Sequence, residues 1–181
     1  MIAEAELTVA DKAGEQRQLL PKPWRGPDRV IVKATEIAVF AIGGLFTILV
    51  SLEVLSRYVF QSSIMFVNAG AKFLLVWFFV IGAGLALRLG AHVGFELLLG
   101  LMRPIRRRRV VLAAQGLAML FFIEMIGAGL YSLGPAWGQS EPGLGIRLFW
   151  AFLSIPVGFT LLAYHMAVLI AVEIKRGGPR R

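Results

Sequence analysis

The sequence predicts an all-α integral membrane protein with four transmembrane helices and an interfacial helix between the second and the third. Hydrophobic residues make up 57% of the 181 residues, above the roughly 45–50% that is typical of soluble domains. The mean hydropathy is +0.74. Four apolar segments each approach the length of about 20 residues that a helix needs to cross the hydrocarbon core. The bilayer is therefore the expected solvent for most of the chain.

The net charge of +8 would suggest a nucleic-acid partner in a soluble protein. In this chain the basic residues cluster at the ends of apolar segments, as the positive-inside bias of membrane proteins predicts. We therefore expect membrane lipids, and no nucleic acid, to contact these residues. The chain has no cysteine, which excludes disulfides, thiolate metal sites and cysteine nucleophiles.

The chain begins with a polar segment, residues 1–33, which we interpret as a cytoplasmic tail because it lacks the early apolar core of a secretory signal. Trp24 lies in a proline-containing approach to the membrane and suits the interface. The first span is predicted at about 34–55 and the second at about 64–87. Because the turn between them is short, the two spans should form an antiparallel hairpin.

Residues 88–109 differ from the spans in composition. The apolar piece at about 92–102 is too short to cross the membrane and predicts a helix lying on its surface. Its basic flanks would face anionic head groups. The candidate membrane-surface residues are Trp24, Arg88, His92, Arg106, Arg107, Arg108 and Arg109.

The third span is predicted at about 110–133 and the fourth at about 148–172, followed by a second cytoplasmic tail at 173–181. The membrane domain therefore covers 34–172. All but three of the Lys and Arg residues lie in the two tails and in the 88–109 loop. The positive-inside rule then places both termini in the cytoplasm.

Charged residues inside apolar segments are costly and need a partner. Glu53 and Arg57 are four residues apart and can pair along one helix face. We interpret the pair as a device that sets helix depth and register, with an intersubunit or transport role as the alternative. Lys72 lies about two turns into the second span, and Glu124 lies near the middle of the third. A Lys72–Glu124 bridge or a charge on a partner subunit would neutralise them.

The residues predict no enzyme and no cofactor or metal site. His92 in the loop and His165 in the fourth span differ in depth, unlike the paired ligands of a membrane haem. The sequence contains no nucleophile elbow, phosphate-binding loop or HExxH motif. Two other functions remain open at this point: a membrane-anchor subunit of a redox complex, and a small self-assembling channel or carrier.

Five short motifs give the chain a family resemblance. They are SRYVF at 56–60, VWF at 76–78, ALR at 86–88, GAH at 90–92 and SIPVGF at 154–159. Together they resemble the small membrane subunit (the DctQ-like subunit) of tripartite ATP-independent periplasmic (TRAP) transporters, over about residues 34–172. The family typically carries a Trp and then paired acids at the start of the second span. Here Phe66, Asn68 and Ala69 stand at those positions, so a pairing of those acids with Lys72 cannot be carried over.

The resemblance implies a small permease subunit in the bacterial inner membrane. A periplasmic solute-binding protein would deliver an organic acid, and a large multi-span permease subunit would move it with a sodium or proton gradient. This chain would scaffold the large subunit and hold no substrate site itself. The candidate structural or partner-interface residues are Glu53, Arg57, Lys72, Trp77, Glu124 and Pro156.

Overall fold

The computed structural model describes residues 22–61, 64–88 and 104–176. Helices dominate this part of the chain, together with one isolated β-bridge between Ser140 and Arg147. The helices are α1 (Lys22–Val59), α2 (Met65–Arg88), α3 (Pro104–Trp137), α4 (Phe149–Phe152) and α5 (Ser154–Arg176). The all-α prediction is confirmed for the described residues.

Among the described residues, four helical segments are long and apolar enough to cross a membrane. They are Gly26–Val59, Met65–Arg88, Arg107–Trp137 and Phe149–Lys175, the last of which joins α4 and α5. The prediction of four helices that are long and apolar enough to span a membrane is therefore confirmed. The predicted interfacial helix at 92–102 and its His92 lie outside the described residues.

The first helix begins earlier than the sequence analysis expected. Residues 22–33, assigned there to the tail, belong to α1. Pro23 stands at the start of this helix, where its missing N–H would have had no helical acceptor. Asp28, Val32 and Thr35 are buried, so the beginning of α1 packs against the rest of the protein.

The helices alternate in direction, which gives the protein two ends. The terminal end contains the start of α1, the end of α2, the start of α3 and the end of α5. The hairpin end contains the turn after α1 and the loop between α3 and α4.

The spans pack side by side in a row. α1 contacts α2, α2 contacts α5, and α5 contacts α3. α5 lies inside the row and carries the buried side chains of Leu162, Met166, Val168 and Val172. In the most apolar window of α3, by contrast, no residue is buried. Most of the apolar surface of the chain therefore faces outward.

Glycines allow the neighbouring helices to approach closely, a packing mode typical of membrane helices. A Cβ atom at Gly43 of α1 would lie 2.7 Å from Cε2 of Phe78 on α2. A Cβ atom at Gly129 of α3 would lie 2.9 Å from Cδ of Pro156 on α5. At Gly158 of α5 the added atom would overlap Val80 of α2. The close contacts between neighbouring helices therefore require glycine at these three positions.

We predict that Gly158→Ala lowers the free energy of unfolding by about 1–3 kcal/mol, the usual cost of overpacking. The new methyl group would meet not only the Val80 side chain but also its carbonyl carbon, 3.3 Å away. Gly82→Ala is the matched control, since nothing lies within 4 Å of a Cβ atom there. Thermal unfolding in detergent should show a lower midpoint for the first variant only. Equal midpoints for both variants would contradict the proposed close contact.

Candidate functional site

A buried ion pair joins α1 to α2 at the terminal end. The Nη2 atom of Arg88 donates to Oδ2 of Asp28 at 2.6 Å. The two side chains are only 2% and 0% exposed. Charge-assisted hydrogen bonds of this kind are among the strongest in proteins, but each charge is costly to bury without the other. The pair therefore fixes the start of α1 against the end of α2.

The fourth span contributes to the same polar cluster. The hydroxyl group of Tyr164 on α5 donates to Oδ1 of Asp28 at 3.3 Å. His165 is fully buried, and neither of its ring nitrogens has a hydrogen-bond partner among the described residues. A Cβ atom at Gly84 of α2 would lie 3.4 Å from Cδ2 of His165. Three spans thus meet at one buried polar cluster, Asp28, Arg88, Tyr164 and His165, which we call the terminal cluster.

Of the predicted membrane-surface residues, some are exposed and one is buried inside the protein. Arg88 points into the protein and pairs with Asp28, because that carboxylate lies on the neighbouring helix. Arg107 and Arg109 are exposed. Trp24 lies in the first turn of α1 and Arg106 in the first turn of α3.

Arg108 interacts with the end of α5. Its Nη2 atom donates to the backbone oxygen of Ile174 at 3.3 Å. Ile174 lies in the last turn of α5, where carbonyl groups lack helical donors and the helix dipole favours a cation. Arg108 therefore stabilises the α3–α5 contact.

The predicted pair of Glu53 and Arg57 is present near the hairpin end. Nη2 of Arg57 donates to Oε1 of Glu53 at 3.1 Å, and the side chains are 57% and 10% exposed, respectively. Both side chains line a groove of about 400 Å³ between α1 and α2, together with Asn68 and Lys72. Apolar side chains from both helices form the rest of its wall. We call this feature the hairpin groove.

Lys72 and Glu124 do not pair with each other. α5 lies between α2 and α3 in the row, and both side chains are exposed. Neither forms an ion pair within the described part of the chain. The Lys72–Glu124 bridge considered from the sequence is therefore not formed in the described part of the chain.

Trp77 and Pro156 both make contacts within the chain. Nε1 of Trp77 donates to the backbone oxygen of Trp150 at 3.1 Å, which connects α2 to α4. Pro156 is buried against Gly129 of α3. Both residues therefore stabilise helix contacts at the hairpin half of the protein.

Asp28 and Tyr164 belong to the terminal cluster, but the sequence does not predict them as site residues. Asp28 looked like one of several polar residues in a tail, and Tyr164 like an ordinary aromatic residue of an apolar span. Their partners are 60 and 136 residues away in the chain. No local pattern signals a contact at such a distance. In the described ranges, no three His, Asp or Glu side chains gather as metal ligands.

Comparison with known proteins gives a family match. Residues 46–176 match the model of the family described as "Tripartite ATP-independent periplasmic transporters, DctQ component". The chain is similar to the C4-dicarboxylate TRAP transporter small permease protein DctQ of Rhodobacter capsulatus, with 29% identity over 51% of this chain and 41% of that protein. It is also similar to a putative TRAP transporter small permease protein of Haemophilus influenzae, with 29% identity over 80% of this chain and 84% of that protein.

We predict that Arg88→Leu or Asp28→Leu alone lowers the free energy of unfolding by about 3–5 kcal/mol, because each leaves one buried charge. The double variant should lose less than either single variant, since it leaves neither charge. Unfolding by denaturant in detergent measures all three. Arg109→Leu, at an exposed position, is the control and should stay close to the wild type. Additive losses in the double variant would argue against direct pairing.

We also predict unequal effects at the Glu53–Arg57 pair. Arg57→Ala removes the guanidinium group from a carboxylate that is only 10% exposed and should cost about 1–3 kcal/mol. Glu53→Gln removes the buried charge and leaves an arginine that can extend toward the head groups, so its effect should be milder. The yield of folded protein extracted from membranes measures both. Normal yields in both variants would remove the pair from the list of stabilising contacts.

Proposed function

The chain belongs to the DctQ family of small permease subunits of tripartite ATP-independent periplasmic transporters, and we propose that it scaffolds the large transport subunit. In this proposal a periplasmic binding protein delivers an organic acid, and an ion gradient drives its uptake through the large subunit. The name of the Rhodobacter capsulatus relative, which includes C4-dicarboxylate, supports an organic acid as the solute.

Glu124 is the observation that favours a scaffold. It is exposed near the middle of α3 and has no ion-pair partner among the described residues. Its neighbours on the same helix face are apolar: Leu117 is 71% exposed and Leu120 is 66% exposed. A carboxylate facing lipid at this depth is costly, and such residues normally face protein or water. A second membrane protein covering this face supplies the missing donor.

The same face can accept a close helix contact. Gly127 lies about one turn after Glu124, and nothing lies within 4 Å of a Cβ atom built there. Tyr131, one turn further, is 84% exposed and adds a hydroxyl group to the face. Small residues beside a polar group are typical of interfaces between membrane helices. We assign this outer face of α3, from Leu117 to Tyr131, to the large subunit.

The orientation follows from the basic residues. Arg29, Lys33, Arg107, Arg109 and Lys175 are exposed at the terminal end. The positive-inside rule places this end in the cytoplasm. The chain is then a multi-pass protein of the bacterial inner membrane with both termini cytoplasmic. The hairpin end faces the periplasm, where the binding protein would approach.

We predict that the large subunit copurifies with the wild-type chain and that Glu124→Leu lowers its recovery about tenfold or more. Removing one partner of a buried charge pair typically costs 2–5 kcal/mol at an interface, and each 1.4 kcal/mol is about tenfold in affinity. Glu173→Leu, near the end of α5, is the matched control and should leave recovery unchanged. Quantitative mass spectrometry of the affinity-purified complex measures the ratio of the subunits.

Two results together would contradict the scaffold proposal. One is copurification that recovers no multi-span partner with the wild-type chain. The other is full solute uptake by cells that express the large subunit and the binding protein without this chain. Uptake that depends on co-expression of this chain is the expected result.

A further inference from the structure

The hairpin groove combines charged and apolar walls at one end of the membrane span. Lys72, Arg57 and Glu53 line one part of it, and Val54, Phe46 and other apolar side chains line the rest. With a volume of about 400 Å³, it accommodates a polar head group and part of a hydrocarbon chain. The groove lies between α1 and α2, the first two helices of the row. α3 and its Glu124 face lie at the other side of the row.

The charges of the groove do not balance. Glu53 is negative and is hydrogen-bonded to Arg57 at 3.1 Å. Lys72 is a second cation and forms no ion pair within the described residues. The three side chains together therefore carry a formal charge of +1. A cation inside a membrane span needs an anion or water, and an anionic ligand meets this requirement.

The helix directions favour an approach of the two cations. Long side chains on a helix lean toward its N-terminus. The N-terminus of α2 is at the hairpin end, so Lys72 leans toward that end. The N-terminus of α1 is at the opposite end, so Arg57 leans into the membrane. Both side chains line the same groove, and together they offer an ammonium and a guanidinium group to one anion.

We propose that the hairpin groove binds an anionic phospholipid, with its phosphate between Lys72 and Arg57 and an acyl chain along Val54 and Phe46. The charge favours an anionic ligand, and the apolar wall favours one with a hydrocarbon chain. The groove lies between two spans near the hairpin end, and its exposed Lys72 lies about two turns after the start of α2. This inference rests on the four membrane spans and does not require the transport function.

The test compares lipids on the full-length chain after delipidation in detergent. Native mass spectrometry measures the affinity for dioleoylphosphatidylglycerol, for zwitterionic dioleoylphosphatidylcholine and for inorganic phosphate. The wild-type chain should bind phosphatidylglycerol more tightly than phosphatidylcholine, and inorganic phosphate alone should not raise the unfolding temperature. Lys72→Gln should weaken phosphatidylglycerol binding about fivefold, the effect of one basic residue near a lipid phosphate. Lys72→Arg should retain it.

Two further variants keep the test decisive. Lys33→Gln is the matched control because Lys33 is also an exposed lysine of a spanning helix but lies at the terminal end, outside the groove; it should weaken phosphatidylglycerol binding less than Lys72→Gln does. Val54→Trp keeps every charge, but its larger side chain fills the space proposed for the acyl chain in the hairpin groove. It should therefore also weaken phosphatidylglycerol binding. This second variant gives an answer even if Lys72→Gln does not fold.

Three results would overturn the proposal. The first is wild-type affinity for phosphatidylglycerol in both Lys72→Gln and Val54→Trp. The second is a rise in unfolding temperature with inorganic phosphate that equals the rise with phosphatidylglycerol. That result would identify the ligand as a soluble anion. The third is unchanged lipid affinity together with reduced recovery of the large subunit in Lys72→Gln, which would assign the groove to a protein partner.

Discussion

The hydrocarbon core of a membrane offers no water to polar side chains, and the arrangement of this protein follows from that constraint. Asp28 of α1 and Arg88 of α2 are buried, and they form a 2.6 Å ion pair that Tyr164 of α5 extends to a third span. Leaving either charge alone would be far more costly than burying both. The terminal cluster therefore joins three of the spans at one end of the row.

A row of helices has less interior than a closed bundle. In this row the two inner spans, α2 and α5, contribute most of the buried apolar side chains, and glycines at positions 43, 129 and 158 allow close helix contacts. The chain is 57% hydrophobic, and most of its apolar side chains therefore lie on outer surfaces that suit contact with lipid or with another protein. An open row of this kind suits a subunit whose partner completes its packing.

Charges that the row does not pair distinguish its two sides. Glu124 lies on the outer face of α3, and Lys72 lies in the groove between α1 and α2. α2 and α5 lie between the outer face of α3 and the groove. One small ligand therefore cannot contact both Glu124 and Lys72. A carboxylate beside open glycine space suits a protein helix, whereas a cation above an apolar wall suits a phospholipid. Our two proposals therefore assign Glu124 to a protein that supplies a cation or hydrogen-bond donor, and Lys72 to an anionic phospholipid.

The sequence by itself determined the class of protein, the four spans, the Glu53–Arg57 pair and the family resemblance, because helix-length apolar segments, i,i+4 spacing and short motifs are all local patterns. Only the tertiary structure decided that α1 starts at Lys22, that Arg88 points inward to Asp28, and that Lys72 and Glu124 lie apart. These outcomes depend on the order of the helices in space. That order is set by shape and by charges many residues apart, which no local pattern records.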